Sequence, residues 1–229
     1  MKRIDIIILI FCLILLTIVG LYLKGRYYNP WIRLNDAEVQ VNFLIFNNQL
    51  KDGDIIFQTS LSQKSNVIQL ATHSKYNHCG IIYKIKNDYL VFEAVQTVKY
   101  TPLIKWIAGG EDAHFVIKRL KNADVLLNAE NINKMIKVGE SFKGKDYDNY
   151  FEWSDNRMYC SELIWKIYKK SLGIEIGKLQ KLRDFDLSDD VVQKIMKKRY
   201  GNNIPLDETV ISPISIFNSD LLETVKAYE

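Results

Sequence analysis

The longest apolar run in the chain comes first. Residues 6–23 carry no charge and are mostly Ile and Leu, after Met1-Lys2-Arg3. As a helix, eighteen residues at 1.5 Å each span about 27 Å, close to the roughly 30 Å hydrocarbon core of a bilayer, which predicts one membrane crossing. A cleaved secretory signal is the rival, but its apolar region is shorter and ends in a small-x-small site. Neither Ile18-Val19-Gly20 nor Leu23-Lys24-Gly25 supplies one. Cys12 follows Phe11 where a lipoprotein anchor needs a small residue, so it reads as an apolar side chain facing lipid or another helix. Lys2 and Arg3 stand against Lys24, Arg26 and Arg33, and the positive-inside count does not decide orientation. The very short tail before the first span argues for a single-pass membrane protein with its body outside the cytoplasm, periplasmic or at the cell surface.

The rest of the chain alternates short apolar segments with turn signals. Residues 1–30 form the expected anchor, and residues 31–49 a connector and leading helix, started at Asn35-Asp36-Ala37-Glu38 with Val39, Phe43 and Phe46 at helical spacing. Lys51-Asp52-Gly53-Asp54 is a turn before a short buried strand at 55–57. Residues 65–72 read as a helix. Strands at 79–85 and 89–95 are joined by the turn formers Lys86-Asn87-Asp88, and 115–120 is a further strand. The spacing of Val125, Leu126, Ile132, Ile136 and Val138 predicts one helix over 124–140. After a polar and aromatic loop, 141–158, a helix runs over 160–172 and is closed by Gly173. Ser188 is expected to cap a helix with Asp189 and Asp190 in its first turn and Lys197-Lys198-Arg199 in its last. The class is α+β, helices packed on an antiparallel sheet.

Charge changes the picture by exclusion. The net charge is +4, from 31 Lys plus Arg against 27 Asp plus Glu. Lys2, Arg3, Lys24 and Arg26 against Asp5 put +3 of it in residues 1–30, leaving the body at +1. A nucleic-acid binder needs a concentrated basic face, so no nucleic-acid partner is expected. With 48% apolar residues and only 4 Pro, the body is not disordered.

The chemistry centres on Cys160. Tyr159-Cys160-Ser161-Glu162-Leu163 lies at a loop-to-helix junction, so the thiol sits over a first helical turn whose free N–H groups favour a thiolate and can hold an oxyanion. The bland alternative is a small apolar residue beginning a buried helix. A nucleophilic Cys needs a base, and three His are present: His73, His78 and His114. His78 opens a strand, where a side chain is both rigid and open to a cleft; His73 lies in a polar loop and His114 before another strand. Strand alternation sends Cys79 to the face opposite His78, so if His78 faces Cys160, Cys79 does not, and the two cysteines do not pair. A zinc site from His73, His78, Cys79 and Cys160 lacks any paired-ligand spacing, so no metal is expected. Glu93, a single carboxylate in an apolar strand, is the candidate orienter of His78, with Gln96 the alternative if the hairpin centres on Asn87. A bulge at Gly80 would shift that register.

These residues fall into four ordered blocks: Leu50-Lys51-Asp52-Gly53-Asp54-Ile55, Ser74-Lys75-Tyr76-Asn77-His78-Cys79-Gly80-Ile81, Val91-Phe92-Glu93-Ala94 and Tyr159-Cys160-Ser161-Glu162-Leu163. Together they resemble the YaeF/YiiX-type permuted papain-like amidases, circularly permuted relatives of NlpC-type cell-wall peptidases and of the lecithin:retinol acyltransferase group. The likeness covers residues 50–229, including Tyr200-Gly201 through Pro205 and Val210-Ile211-Ser212-Pro213. It implies a permuted papain-like domain over 50–229, with a Cys nucleophile, His base and polar third residue falling on Cys160, His78 and Glu93. Cys79 departs from the pattern, which more often has Val there. Tyr159, Ser161 and Tyr147 are candidate substrate-binding residues.

The leading expectation is a membrane-tethered cysteine hydrolase of amide bonds in cell-wall peptides or related substrates, with no cofactor. A lipid acyl hydrolase or acyltransferase on the same triad is the alternative, suited by Tyr147, Tyr150, Phe151 and Trp153 before Cys160. A non-catalytic binding module is a third.

Overall fold

A computed structural model describes residues 3–62 and 65–228. The chain begins with helix α1 (Arg3–Leu23), passes through a π-helical turn (Lys24–Tyr28) and continues as α2 (Asn29–Phe46). Among the described residues no helix is long and apolar enough to cross a membrane. The expected span over residues 6–23, and with it the single-pass membrane and extracytoplasmic localisation, is corrected on that ground.

The body is built on a six-stranded antiparallel sheet in the order β4-β3-β2-β1-β5-β8. Its strands are β1 (Ile55–Gln58), β2 (His78–Ile85), β3 (Asp88–Ala94), β4 (Val98–Pro102), β5 (Phe115–Leu120) and β8 (Leu222–Tyr228). Two residues each from β6 (Gln180–Lys181) and β7 (Thr209–Val210) pair separately. The apolar runs of β1 and β2 do not alternate with polar residues because both faces of the sheet are covered. Ile55, Phe57, Cys79, Ile81 and Tyr83 face α6 (Ala129–Glu140) and α7 (Cys160–Leu172). Ile56, Ile82, Val91 and Ile117 face α2 and α4 (Leu103–Ala108). The antiparallel sheet with packed helices agrees with the expected α+β class, and the helices form a layer on each side of it.

Several local expectations meet competing physics. On α2, Phe43 and Phe46 are exposed, and Ala37, Val41 and Leu44 lie against the sheet, because the close approach of α4 admits the smaller side chains. The helix expected over 124–140 divides into α5 (Ala123–Leu126) and α6, since Asn128 leaves the helix to cap α6 by accepting from the Asn131 N–H at 3.0 Å. The cap of α8 (Asp190–Tyr200) is Asp189, which accepts from Val191 N–H and Val192 N–H; Ser188 instead bonds Asp186. Helix α3 (Ser65–Thr72) and α7 have the expected bounds, and Gly173 ends α7 in a left-handed conformation at φ 73°.

Just before β1, in the middle of the sheet, Asp54 is fully buried against Arg119. Nε and Nη2 of Arg119 donate to its two carboxylate oxygens at 2.6 and 2.7 Å, and Nη2 also reaches the Gln49 carbonyl. The pair fastens the turn before β1 to β5. Asp54→Ala strands a guanidinium that is mostly out of water and is expected to destabilise the protein by about 3–5 kcal/mol. Denaturant unfolding checks this, and a midpoint within experimental error of wild type contradicts it.

Candidate active site

Helix α7 begins where the chain emerges from the 141–158 loop, so Cys160 occupies its first turn and is 2% exposed. That loop is held by the packing of Phe142 and Met158 into the core and by hydrogen bonds to its backbone. Asp148 accepts from Tyr150 N–H and Glu152 N–H at 2.8 and 2.7 Å, and the Tyr147 N–H donates to the Gln96 carbonyl at 3.1 Å. Glu162, three residues into the turn, accepts from the Tyr159 N–H at 3.3 Å and pairs with Lys166 at 2.7 Å.

His78 is the first residue of β2, fixed from below by Asn77, whose Oδ1 accepts the Ser60 N–H at 2.7 Å. The hairpin register decides its partner. Lys86 and Asn87 form a two-residue turn, with Ile85 opposite Asp88 and Ile81 opposite Phe92, so the ladder brings Gly80 level with Glu93. His78 and Glu93 therefore share a sheet face on a diagonal, and no bulge is needed. Gly80 lets β2 and β3 approach closely beside Glu93: a Cβ there would stand 2.3 Å from Val91 Cγ1 and 3.5 Å from Glu93 Cβ. Gln96, the alternative partner, lies past the end of β3 and is exposed.

Glu93 is 4% exposed and accepts three hydrogen bonds. His78 Nε2 lies 2.7 Å from its Oε2, Trp106 Nε1 donates to the same oxygen at 2.8 Å, and Thr101 Oγ1 donates to Oε1 at 2.5 Å. Trp106 also stacks on the imidazole, ring centroids 5.6 Å apart at 24°. Sequence reasoning missed Thr101 and Trp106 because β4 and α4 are too short for periodicity to reveal. Their one signal was a buried carboxylate that had to find donors.

Both cysteines of the body meet at this point. With Nε2 on Glu93, His78 has Nδ1 left for the Cys160 sulfur, and the imidazole and thiol interact. Cys79 also interacts with Cys160, through its thiol and its backbone N–H, which corrects the expectation that it faces elsewhere. Alternation does put Cys79 and His78 on opposite faces. It is Cys79 that points into the layer carrying α7, however, and His78 reaches Cys160 from the strand's open end. The Cys79 thiol, the His78 imidazolium and the Cys79 N–H together hold the Cys160 thiol well below its ordinary range, against the opposing effect of burial. Burial by itself lowers His78, but the Cys160 thiolate and Glu93 carboxylate outweigh it and push His78 up to about 10. Glu93 goes the other way: burial raises it, and His78, Thr101 and Trp106 hold it below the usual carboxylate range. Burial beside the thiolate pushes the Cys79 thiol up, keeping it protonated.

Tyr159 and Ser161 line the cleft beside Cys160 but use their polar atoms on the backbone of Ile211. The Ile211 N–H donates to Tyr159 Oη at 3.1 Å, and Ser161 Oγ donates to the Ile211 carbonyl at 2.7 Å. Tyr147 lies in the same wall. His73 is on the surface, 2.9 Å from Asp186, and His114 stacks edge-on with Tyr228, both outside the cleft around Cys160.

The model of the permuted papain-like amidase family, YaeF/YiiX (C92), matches residues 49–226. The chain belongs to that family. It is 46% identical over 193 residues to the uncharacterized protein YiiX of Escherichia coli strain K12, covering 84% of this chain and 94% of the relative. A crystal structure described as metalloprotein yiiX from Escherichia coli O157:H7, DUF1105, superposes with a TM-score of 0.75 at 48% identity, covering 79% of this chain and 98% of that one. Among the described residues of this YaeF/YiiX member, no group of three or more His, Cys, Asp or Glu is placed to hold a metal ion. The donor set does not fit one, since Glu93 already accepts three hydrogen bonds.

Replacing Glu93 by Gln removes the carboxylate that holds the proton on His78. The imidazole titration, followed by NMR, is expected to move below about 10. An unchanged midpoint would show that Glu93 does not stabilise the imidazolium.

Proposed function

We propose that the chain is a thiol amidase working through a Cys160, His78 and Glu93 triad and an acyl-enzyme intermediate. The observation that carries this reading is the contact of Cys160, at the start of α7, with an imidazole whose other nitrogen is bound to a buried carboxylate. Cys160 Sγ attacks the carbonyl carbon, and the oxyanion turns to the N–H groups at the start of α7, which have no partner within the helix. His78 then gives its proton to the leaving amine as the C–N bond breaks, leaving a thioester on Cys160. A water molecule, deprotonated by His78, attacks the thioester, and the carboxylic acid leaves as the thiolate and imidazolium are restored. Glu93 holds the ring and its charge throughout.

The cleft indicates which acyl group is taken. It is open on one side and runs from Cys160 past Val67, Phe151, Leu182, Val192 and Met196, and the described residues that line it include no Asp, Glu, Lys, Arg or His. A cell-wall peptide brings ammonium and carboxylate groups that such walls leave unpaired. An aliphatic acyl chain fits them, which favours the acyl reading over the peptide one.

With N-acyl amides of increasing chain length, kcat/KM is expected to rise by up to about fourfold per methylene until the cleft is filled. Intact mass should show the acyl group on Cys160. Cys160→Ala and His78→Ala are each expected to reduce turnover by at least about 10³-fold while the far-ultraviolet circular dichroism stays as in wild type. An active Cys160→Ala protein contradicts the nucleophile, and a flat chain-length dependence with turnover of cell-wall peptides contradicts the acyl reading.

A further inference from the structure

The mechanism makes use of one sulfur, yet the site holds two. Cys79 is fully buried, on the sheet face that carries α7, and its thiol interacts with the Cys160 sulfur that opens onto the cleft. In hydrolysis the Cys79 thiol only helps its own backbone N–H and His78 to hold the Cys160 thiolate, and no bond-making or bond-breaking step passes through it. No third cysteine competes within the core, because Cys12, the remaining one, lies exposed on α1.

We propose that Cys79 and Cys160 form a dithiol site that hydroperoxides convert to an intramolecular disulfide, with Cys160 the oxidised sulfur and Cys79 the resolving one. In the first step the Cys160 thiolate attacks one oxygen of the peroxide. The O–O bond breaks, sulfur loses two electrons and becomes the sulfenic acid, and the departing hydroxide or alkoxide takes a proton from water. In the second step the Cys79 sulfur attacks the Cys160 sulfur, the S–O bond breaks, and the hydroxyl leaves as water with the Cys79 proton. A dithiol reductant reverses the product by exchange and restores both thiols.

The two sulfurs differ in the way this sequence requires. Cys160 is held as a thiolate at the wall of an open cleft, within reach of a molecule as small as hydrogen peroxide. Cys79 is kept protonated and is fully buried, so it meets no peroxide from solvent and reacts only with its neighbour. The oxidised Cys160 is thereby taken into a reducible bond before a second peroxide carries it to the irreversible sulfinic acid. The consequence is an amidase that is switched off by peroxide and recovers on reduction. The disulfide itself does not depend on the amidase reading, because its formation is read from mass and thiol count without any substrate.

The test uses the full chain with Cys12→Ser, treated with several molar equivalents of hydrogen peroxide and followed by intact mass and by thiol titration in denaturant. The expected result is a loss of about 2 Da, disappearance of both remaining thiols and full return of both after dithiothreitol. In Cys79→Val and in Cys79→Ser, the same treatment is expected to give gains of about 32 Da or more on Cys160 that dithiothreitol does not reverse. Two replacements of different polarity guard against a packing defect in either. A wild-type pair that gains oxygen as the Cys79 variants do, or a disulfide that forms only between chains, overturns the proposal.

Discussion

A charged pair inside an apolar interior is the constraint around which this molecule is arranged. The Cys160 thiolate and the His78 imidazolium are each costly to take out of water, and neither persists there without the other and without further hydrogen bonds. Glu93 supplies the second anchor for the imidazolium, and Glu93 in turn persists as a buried carboxylate because Thr101 and Trp106 donate to it. The position of β4 and of α4 is therefore part of the site. Gly80 belongs to the same ladder, since a side chain there would collide with Val91 and press on the Phe92 carbonyl beside Glu93.

The sheet explains why a strand start and a helix start meet at one point. Helix α7 lies across one face, and α2 and α4 across the other. A residue in the middle of β2 belongs to one face only, as Ile81 and Ile82 do. His78, at the strand's end, stacks with Trp106 on one side and still reaches the sulfur at the start of α7. Family membership as a permuted papain-like amidase agrees with this geometry, with His preceding Cys in the chain.

Locally encoded features of the fold were legible in the sequence. Helices α3 and α7 carry their own start and stop signals, and the strongly apolar cores of β1, β2 and β5 stand out against the turns around them. Cys160, His78 and Glu93 were legible as candidates because each is a chemically capable residue at a position that local structure leaves open. What escaped was set by tertiary context. The buried face of α2 is decided by how closely α4 approaches it, so the large Phe43 and Phe46 lie outside and Ala37 inside. The choice between Glu93 and Gln96 turned on a single residue in the length of the hairpin turn, which sequence left open. Cys79 was read correctly by alternation and wrongly by inference, because the face carrying α7 was assigned to the histidine. The anchor expected over residues 6–23 came from an uninterrupted run of eighteen uncharged residues, and no described helix meets the length and apolarity that crossing a membrane requires.

The account stands or falls on the ionisation of Cys160. The ultraviolet thiolate absorbance, recorded against pH as the difference between wild type and Cys160→Ser, isolates that one sulfur from Cys12 and Cys79. The thiolate signal is predicted to persist well below the ordinary thiol range near pH 8.5 and to return toward that range in His78→Ala. A wild-type midpoint close to 8.5, unchanged by removal of His78, would contradict the buried ion pair and the nucleophile built on it.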